Sequence, residues 1–342
     1  MTREFLTCFV VLFIGVAGFG VDVAAQSEKQ AEPMKYRRNG YRAETAVEAA
    51  EWRAASRAEL FRLLHMADQI AVHAIDERRR SALPLDERLL RTEDVGPYVR
   101  QEMTIQSRPD RVISVVVTIP RNAKLGTAPA VICIHGHGGN RHIVYERSSL
   151  YRGFARTLAE SGYVTLSTDV GQHNVQDATR TLMGERLWDL MRVVDLAASR
   201  PEVDTGRIGC AGLSLGGEMA MWLGAMDERI AATVSSGFLT TMQNLRVGHC
   251  MCWDFPGLQE RFEFADICAL ICPRALQCQN GLQERLPGGF PVELAERAMA
   301  DIKRAYRVEG HGGPDRVQLA THGEGHVFDV EAGTAFLDAV LK

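Results

Sequence analysis

The stretch Arg207-Ile208-Gly209-Cys210-Ala211-Gly212-Leu213-Ser214-Leu215-Gly216-Gly217 decides the fold of this chain. Residues 207–211 have the apolar character of a short buried strand, and residues 216–226 have the composition of a helix. Between them lies a Gly-x-Ser-x-Gly sequence, which predicts a sharp turn from strand to helix. Such a turn lifts the serine hydroxyl above the edge of a sheet and directs the helix N-terminus towards it.

The two glycines of this turn are needed for steric reasons, since a side chain at Gly212 or Gly216 would crowd neighbouring strands. The alternative interpretation is an ordinary glycine-rich connection between a strand and a helix. A carboxylate and a histidine later in the chain favour a functional turn.

Strands and helices alternate along the rest of the chain, after a predicted hairpin of residues 99–106 and 111–120. Further strands are predicted at 129–135, 163–170, 231–236, 275–280 and 317–321. Helices are predicted at 150–161, 178–199, 217–226, 292–306 and 330–341. This alternation predicts an α/β fold, with a mostly parallel twisted sheet, an N-terminal antiparallel hairpin and helices on both faces.

The composition is that of a globular protein, with 46% hydrophobic and 24% charged residues among 342. The net charge of −4 and the lack of a long Lys/Arg run argue against a nucleic-acid partner.

The N-terminus has the pattern of a secretory signal peptide covering residues 1–25. Arg3 precedes an apolar run at 5–21, and small residues end at Ala25, where we expect cleavage. A secreted or periplasmic protein is therefore expected. The alternative is an uncleaved anchor, because the apolar run approaches spanning length. We expect residues 26–94 to be an N-terminal helical extension, with a helix at 42–74, and 95–342 to be one catalytic domain.

Eight cysteines are present, one of them in the predicted signal. We expect three to be small buried hydrophobes, namely Cys133, Cys210 and Cys278. Disulfides are possible among four others, Cys250, Cys252, Cys268 and Cys272. The spacing of those four raises zinc as an alternative, but it is not the usual paired Cys-x2-Cys form. His135-x-His137 also raises zinc, but no nearby carboxylate or cysteine completes a ligand set.

Three side chains form a candidate catalytic set: Ser214, Glu284 and His326. A serine hydroxyl needs a base within hydrogen-bond reach, and the base needs an orienting acid. His326 follows the last predicted strand and precedes the last helix, whereas its competitor His322 lies nearer the strand end.

The acid has more than one candidate. Glu284 follows the strand at 275–280 and is the only carboxylate between Asp266 and Glu293. A solvated loop glutamate is the alternative interpretation, in which case Asp266 or Asp254 would serve.

Two backbone amides are expected to hold a developing oxyanion. One belongs to Leu215, directly after the serine, and the other to His137 in the glycine-rich stretch 135–139. Several polar residues could also face the pocket, and for each of them a structural role is the alternative: Arg141, His142, Glu146, Asp169, His173 and Asn174. The irregular insert 239–273 carries His249, Cys250, Cys252, Trp253 and Phe255. Its aromatic residues could line an acyl or sugar site or simply fill the core.

These elements resemble the dienelactone hydrolase-like and acetyl xylan esterase-like branch of the α/β-hydrolase superfamily. The resemblance covers residues 95–342 and rests on four stretches, 135–139, 207–217, 271–274 and 325–326. It implies the α/β-hydrolase fold and a serine esterase acting on acyl esters, often of acetylated carbohydrates, without metal or organic cofactor. Two residues depart from the pattern: dienelactone hydrolases proper have cysteine in place of Ser214, and the acid is commonly aspartate in place of Glu284.

The sequence therefore predicts a secreted serine carboxylester hydrolase for acetyl or other short acyl esters. Its partner would be a small-molecule or carbohydrate ester, with no nucleic acid and no stable membrane insertion after signal cleavage. A serine peptidase of the prolyl-oligopeptidase type is one alternative, although residues 26–94 are too few for the gating domain of such enzymes. A non-catalytic binding protein of the same fold is the other.

Overall fold

Neighbouring residues of the central strands face opposite apolar layers. The computed structural model describes residues 37–68 and 83–342, which belong to one compact unit, Tyr36–Lys342. In the strand Ala128–Ile134 every residue is buried, and the successive residues Val131 and Ile132 lie in different hydrophobic clusters. Side chains of a strand alternate between the two faces of the sheet, and here both faces are covered by apolar residues. The sheet therefore lies between two layers of helices.

The described residues form one nine-stranded sheet in the order β1-β2-β3-β5-β4-β6-β7-β8-β9. Pairs β1/β2, β2/β3 and β3/β5 are antiparallel, and the remaining pairs are parallel. The strands are β1 (Arg88–Asp94), β2 (Tyr98–Arg108), β3 (Arg111–Pro120), β4 (Ala128–Ile134), β5 (Val164–Thr168), β6 (Val203–Leu213), β7 (Ile230–Ser236), β8 (Ala275–Gly281) and β9 (Val317–His322).

Helices cover the sheet on both sides. They are α1 (Ala46–Leu63), α2 (Phe154–Glu160), α3 (Leu182–Ser199), α4 (Leu215–Met226), α5 (Met242–Leu245), α6 (Leu258–Arg261), α7 (Phe264–Ala269), α8 (Val292–Val308) and α9 (Val330–Leu341). Short 3₁₀ turns occur at Ile143–Tyr145 and Met251–Trp253. Apolar residues of α3, α4, α7 and α8 join the larger cluster, and those of α2 and α9 join the other.

The predicted fold is confirmed, including the hairpin that became β2 and β3. Strand β1 was not predicted: residues 88–94 were assigned to the helical extension, and they form an edge strand whose side chains are all exposed. An edge strand without a buried face lacks the alternation that reveals strands in sequence. Helix α1 is shorter than the helix predicted at 42–74, because Thr45 caps its start through a capping box with Glu48 and the helix ends at Leu63. Residues 69–74 of that prediction lie outside the described residues.

The N-terminal segment is fastened to the insert between β7 and β8 by a buried carboxylate. Asp266 is fully buried, and its two oxygens accept hydrogen bonds from Arg37 Nε at 2.5 Å and Nη2 at 2.6 Å. The backbone amide of Tyr41 also donates to Asp266, at 2.9 Å. Breaking such a pair would leave an uncompensated buried charge, which costs several kcal/mol, roughly 3–5.

The predicted signal peptide, residues 1–25, lies outside the described residues. Within the part of the chain that is described, no helix combines the length and the hydropathy needed to cross a membrane.

Candidate active site

The turn between β6 and α4 forces Ser214 into an unusual backbone conformation, with φ 64° and ψ −127°. A non-glycine residue adopts such a conformation only where surrounding contacts hold it, and such strain is concentrated at functional sites. Space for the turn comes from Gly216, where a Cβ atom would lie 2.2 Å from the carbonyl oxygen of Ile134. The Ser214 amide donates to the carbonyl of Ser236 at 2.9 Å and anchors the turn to β7.

Ser214 lies on the wall of a cavity of about 310 Å³ at the carboxyl edge of the parallel strands. This is the edge where ligands bind in open α/β sheets. The cavity combines ionisable and aromatic side chains with the first residues of α4. It is lined by His137, Ser214, Leu215, Glu218, Phe238, Leu245, His249, Cys250, Cys252, Trp253, Glu284, Gly288, Phe290 and His326.

The structure brings Glu284 and His326 together in this cavity. His326 Nδ1 lies 2.7 Å from Glu284 Oε1, and Glu284 Oε2 accepts the backbone amide of Phe290 at 3.1 Å. Burial acts to raise the pKa of Glu284, but the hydrogen bond and charge of His326, together with the Phe290 amide, lower it below its ordinary value. The carboxylate is thus held ionised and can fix the imidazole with Nδ1 protonated and Nε2 available.

The His326 ring is positioned close to the serine turn. It stacks on Phe290, with ring centroids 5.5 Å apart and planes at 18°. Its Cε1 also packs against Gly237, where a Cβ atom would lie 3.0 Å away; Gly237 has φ +57° and directly follows the residue that anchors Ser214. No hydrogen bond joins the Ser214 hydroxyl to the ring among the described residues, although both line the same cavity.

The alternative candidates are engaged elsewhere. Asp266 binds Arg37, as described above, and also accepts from the Glu263 amide at 2.8 Å. Asp254 accepts a hydrogen bond from Gln259 at 2.7 Å. His322 ends β9, and its backbone carbonyl accepts from Leu282 at 2.8 Å. None of these three residues lines the cavity.

The two residues predicted to supply oxyanion amides line the same cavity as Ser214. Leu215 is the first residue of α4, and His137 lies in the turn after β4; both line the cavity. The His135 ring anchors this turn through both of its nitrogens. Its Nε2 accepts a hydrogen bond from the Val170 amide at 3.0 Å. The proton is therefore on Nδ1, which donates to the Gly136 carbonyl oxygen at 2.8 Å. Burial lowers the pKa of His135, which favours this neutral form.

Sequence reasoning missed Glu218, a buried residue in the first turn of α4 that lines the cavity. Burial raises its pKa to about 8, with Arg186 acting in the opposite direction. Its Oε1 has no hydrogen-bond partner among the described residues. The sequence could have indicated this position, because a residue four positions after Ser214 lies on the same face of the helix. Phe238 and Phe290 were also missed.

The six polar residues expected near the pocket do not line this cavity. Arg141 and Asp169 pair with each other, the guanidinium donating at 2.6 Å. His142 Nδ1 lies 2.6 Å from an Arg100 nitrogen. These pairs join residues 28 and 42 positions apart in the chain, which sequence order does not reveal. Among the six, His173 contacts a residue that lines the cavity: its ring centroid lies 5.2 Å from that of His137.

Seven cysteines are described, and all are free thiols, so the structure contains no disulfide among Cys250, Cys252, Cys268 and Cys272. Cys133, Cys210 and Cys278 are buried, as expected.

Models of known protein families match two overlapping parts of the chain. Residues 113–240 match the model of the Dienelactone hydrolase family, and residues 179–332 match that of an Abhydrolase family. A candidate hydrolase of Bacillus subtilis (strain 168), YtaP, is 26% identical over 303 residues, covering 80% of this chain and 94% of that protein.

Solved structures show the same fold. A candidate acetyl xylan esterase (BF1801) from Bacteroides fragilis NCTC 9343 has a TM-score of 0.71 at 17% identity, over 93% of this chain and 94% of that chain. A glucuronoyl esterase from Solibacter usitatus has a TM-score of 0.62 at 15% identity, over 86% and 94%. The chain has the α/β-hydrolase fold, and the two family models together with these relatives support its place in the dienelactone hydrolase-like and acetyl xylan esterase-like branch of that superfamily.

Proposed function

We propose that the protein is a secreted serine carboxylester hydrolase that forms an acyl-serine intermediate. The observation that carries the proposal is the 2.7 Å contact between His326 Nδ1 and Glu284 Oε1, in a cavity that also contains Ser214 on its strained turn. Nucleophile, base and orienting acid thus meet in one place, in the chain order Ser, Glu, His of this fold.

In the proposed reaction, Ser214 Oγ attacks the ester carbonyl while His326 Nε2 takes the hydroxyl proton. The oxyanion receives hydrogen bonds from the amides of Leu215 and His137. The alcohol leaves with the proton from His326, and an acyl ester remains on Ser214. Water then attacks that ester and gives up a proton to His326. The bond between the acyl carbon and Ser214 Oγ breaks, His326 returns the proton to Oγ, and the acid is released. The hydrogen bond from the Ser214 hydroxyl to His326 Nε2 would form in the substrate complex.

The cavity supports a short acyl ester as substrate. Its volume of about 310 Å³ is at the lower end for small-molecule sites, roughly 300–1,000 Å³. Phe238 and Phe290 provide apolar surface for an acyl methyl group, while Glu218 and His249 offer polar contacts. His249 Nε2, like Glu218 Oε1, is buried without a protein partner among the described residues. Polar groups of this kind suit the hydroxyl-rich alcohol part of a carbohydrate ester.

A substrate panel tests the proposal. We expect the purified protein to hydrolyse p-nitrophenyl acetate faster than p-nitrophenyl octanoate, and to release acetate from acetylated xylan. A glucuronoyl methyl ester and a peptide p-nitroanilide are the other arms. The reason is that a cavity of about 310 Å³ has room for a short acyl group. Hydrolysis of the peptide without ester turnover would instead support the peptidase alternative, and turnover of neither would support a binding protein.

Secretion is part of the proposal, and it rests on the sequence pattern of residues 1–25. When the full chain is expressed in a bacterium with a Sec pathway, we expect the exported protein to begin at Gln26, because the small residues before it suit signal peptidase. Edman sequencing of the extracytoplasmic fraction measures this. A mature protein that still begins at Met1 and remains with the membrane would contradict cleavage and favour the anchor.

A further inference from the structure

Four metal-binding side chains from three separate segments meet at the rim of the cavity. They are His137 after β4, His173 after β5, and Cys250 and Cys252 in the insert between β7 and β8. The nitrogen and sulfur atoms that each could offer all lie within 4.8 Å of one another. In particular, His137 Nε2 lies 3.1 Å from Cys252 Sγ.

We propose that these four residues form a zinc site. Two thiolates and two imidazoles are the ligand set of structural zinc sites, which are tetrahedral and closed. Bond lengths of about 2.3 Å to sulfur and about 2.0 Å to nitrogen place neighbouring ligand atoms roughly 3.3–3.8 Å apart. The observed cluster therefore needs shifts of about an ångström or less to reach this geometry. Soft sulfur ligands favour zinc over magnesium or calcium.

A buried arginine beside the cluster can stabilise a ligating thiolate at Cys252. Zinc binding requires both thiols to lose their protons, so two protons are released, and the four-ligand complex with two neutral imidazoles is uncharged. Arg186, which is fully buried, lies with Nη1 3.5 Å from both Cys252 Sγ and the Cys252 carbonyl oxygen. A donor to a ligating sulfur orients that ligand, as outer partners do in known metal sites.

The ligands could not be grouped from sequence, because they are far apart in the chain. The spacing in the sequence instead grouped Cys250 and Cys252 with Cys268 and Cys272 as possible zinc ligands. Cys268 lies against Cys278 in the core and Cys272 beside Glu309, so neither belongs to the cluster.

A zinc ion here would fasten the insert to the loop that carries the His137 amide. The site would thereby fix both the outer wall of the cavity and one predicted oxyanion donor. This inference does not rest on the esterase proposal, because metal binding can be measured without any substrate.

The test is the metal content of the purified protein after dialysis against metal-free buffer. We expect about one zinc per chain by inductively coupled plasma mass spectrometry. Replacing the metal with Co²⁺ should give an intense thiolate-to-cobalt charge-transfer absorption. Cys250→Ser and His173→Ala should lose the retained zinc, and Cys250→Ser should weaken the absorption. Cys250 and His173 are exposed, so neither substitution disturbs the core.

The matched control is His311→Ala, which removes an exposed histidine outside the cluster and should retain zinc. Circular dichroism establishes that each variant is folded. Three results would overturn the proposal: wild-type protein with reduced thiols that retains neither zinc nor cobalt, zinc retained equally in both cluster variants, or a native disulfide between Cys250 and Cys252.

Discussion

Ser214→Ala is expected to lower kcat/KM for p-nitrophenyl acetate by a factor on the order of 10⁵–10⁶, close to the uncatalysed rate. Without the hydroxyl no acyl-enzyme can form, while the amides of Leu215 and His137 would still stabilise an oxyanion. The residual rate therefore reports what those donors contribute by themselves. Initial-rate kinetics measure this loss, and failure of a fluorophosphonate probe to label the variant identifies the attacked residue.

The stability of this variant should be nearly that of the wild type, because Ser214 is held by its backbone, whose amide donates to Ser236. A suitable control is Ser199→Ala, at the end of α3, where the hydroxyl only caps the carbonyl of Leu196. It should keep full activity. If Ser214→Ala retained wild-type turnover, the acyl-serine mechanism would be excluded.

Glu284→Gln is expected to lower kcat by roughly 10⁴-fold with little change in KM. The amide that replaces the carboxylate cannot stabilise the imidazolium that forms on His326, and it can favour the wrong tautomer. Glu284→Asp keeps the charge but is one methylene shorter, so it should recover part of the activity. Asp254→Asn, at the alternative acid that binds Gln259, should be nearly neutral. Initial-rate kinetics of the three variants should therefore give activity that rises from Glu284→Gln through Glu284→Asp to Asp254→Asn.

Glu284→Gln should also change how the free energy of unfolding depends on pH. The folded-state pKa of Glu284 is lowered, so its contribution to stability is fully present above its unfolded pKa, about 4.3. That contribution is lost as pH falls through the lower folded-state pKa. Thermal melts should therefore show the wild type more stable than Glu284→Gln at neutral pH, with a difference that shrinks in acid. A loss of activity at Asp254→Asn as large as at Glu284→Gln would contradict the assignment of the acid.

The order of elements and the serine turn could be predicted because both are local in sequence. The run 207–217 contains its own strand, turn and helix signals, and apolar segments with β-branched residues mark the buried strands. His326 and Glu284 could be chosen because each follows a recognisable strand. The position of a loop after a strand is fixed once the sheet is parallel, since all such loops emerge at the same edge.

Other features were decided only by tertiary packing. The structure assigned Asp266 to a buried ion pair with Arg37, which lies 229 positions away in the chain, and it added β1 to the sheet edge. It also placed Glu218 in the wall of the cavity that contains Ser214.

What the sequence by itself determined is therefore the sheet, the turn that carries Ser214 and the chain order of its partners, because those depend on local periodicity and on steric rules that act within a few residues. Only the tertiary structure decided which side chains share an environment, as with His137, His173, Cys250 and Cys252. Their proximity depends on how three loops pack over the sheet edge, and no local propensity contains that information.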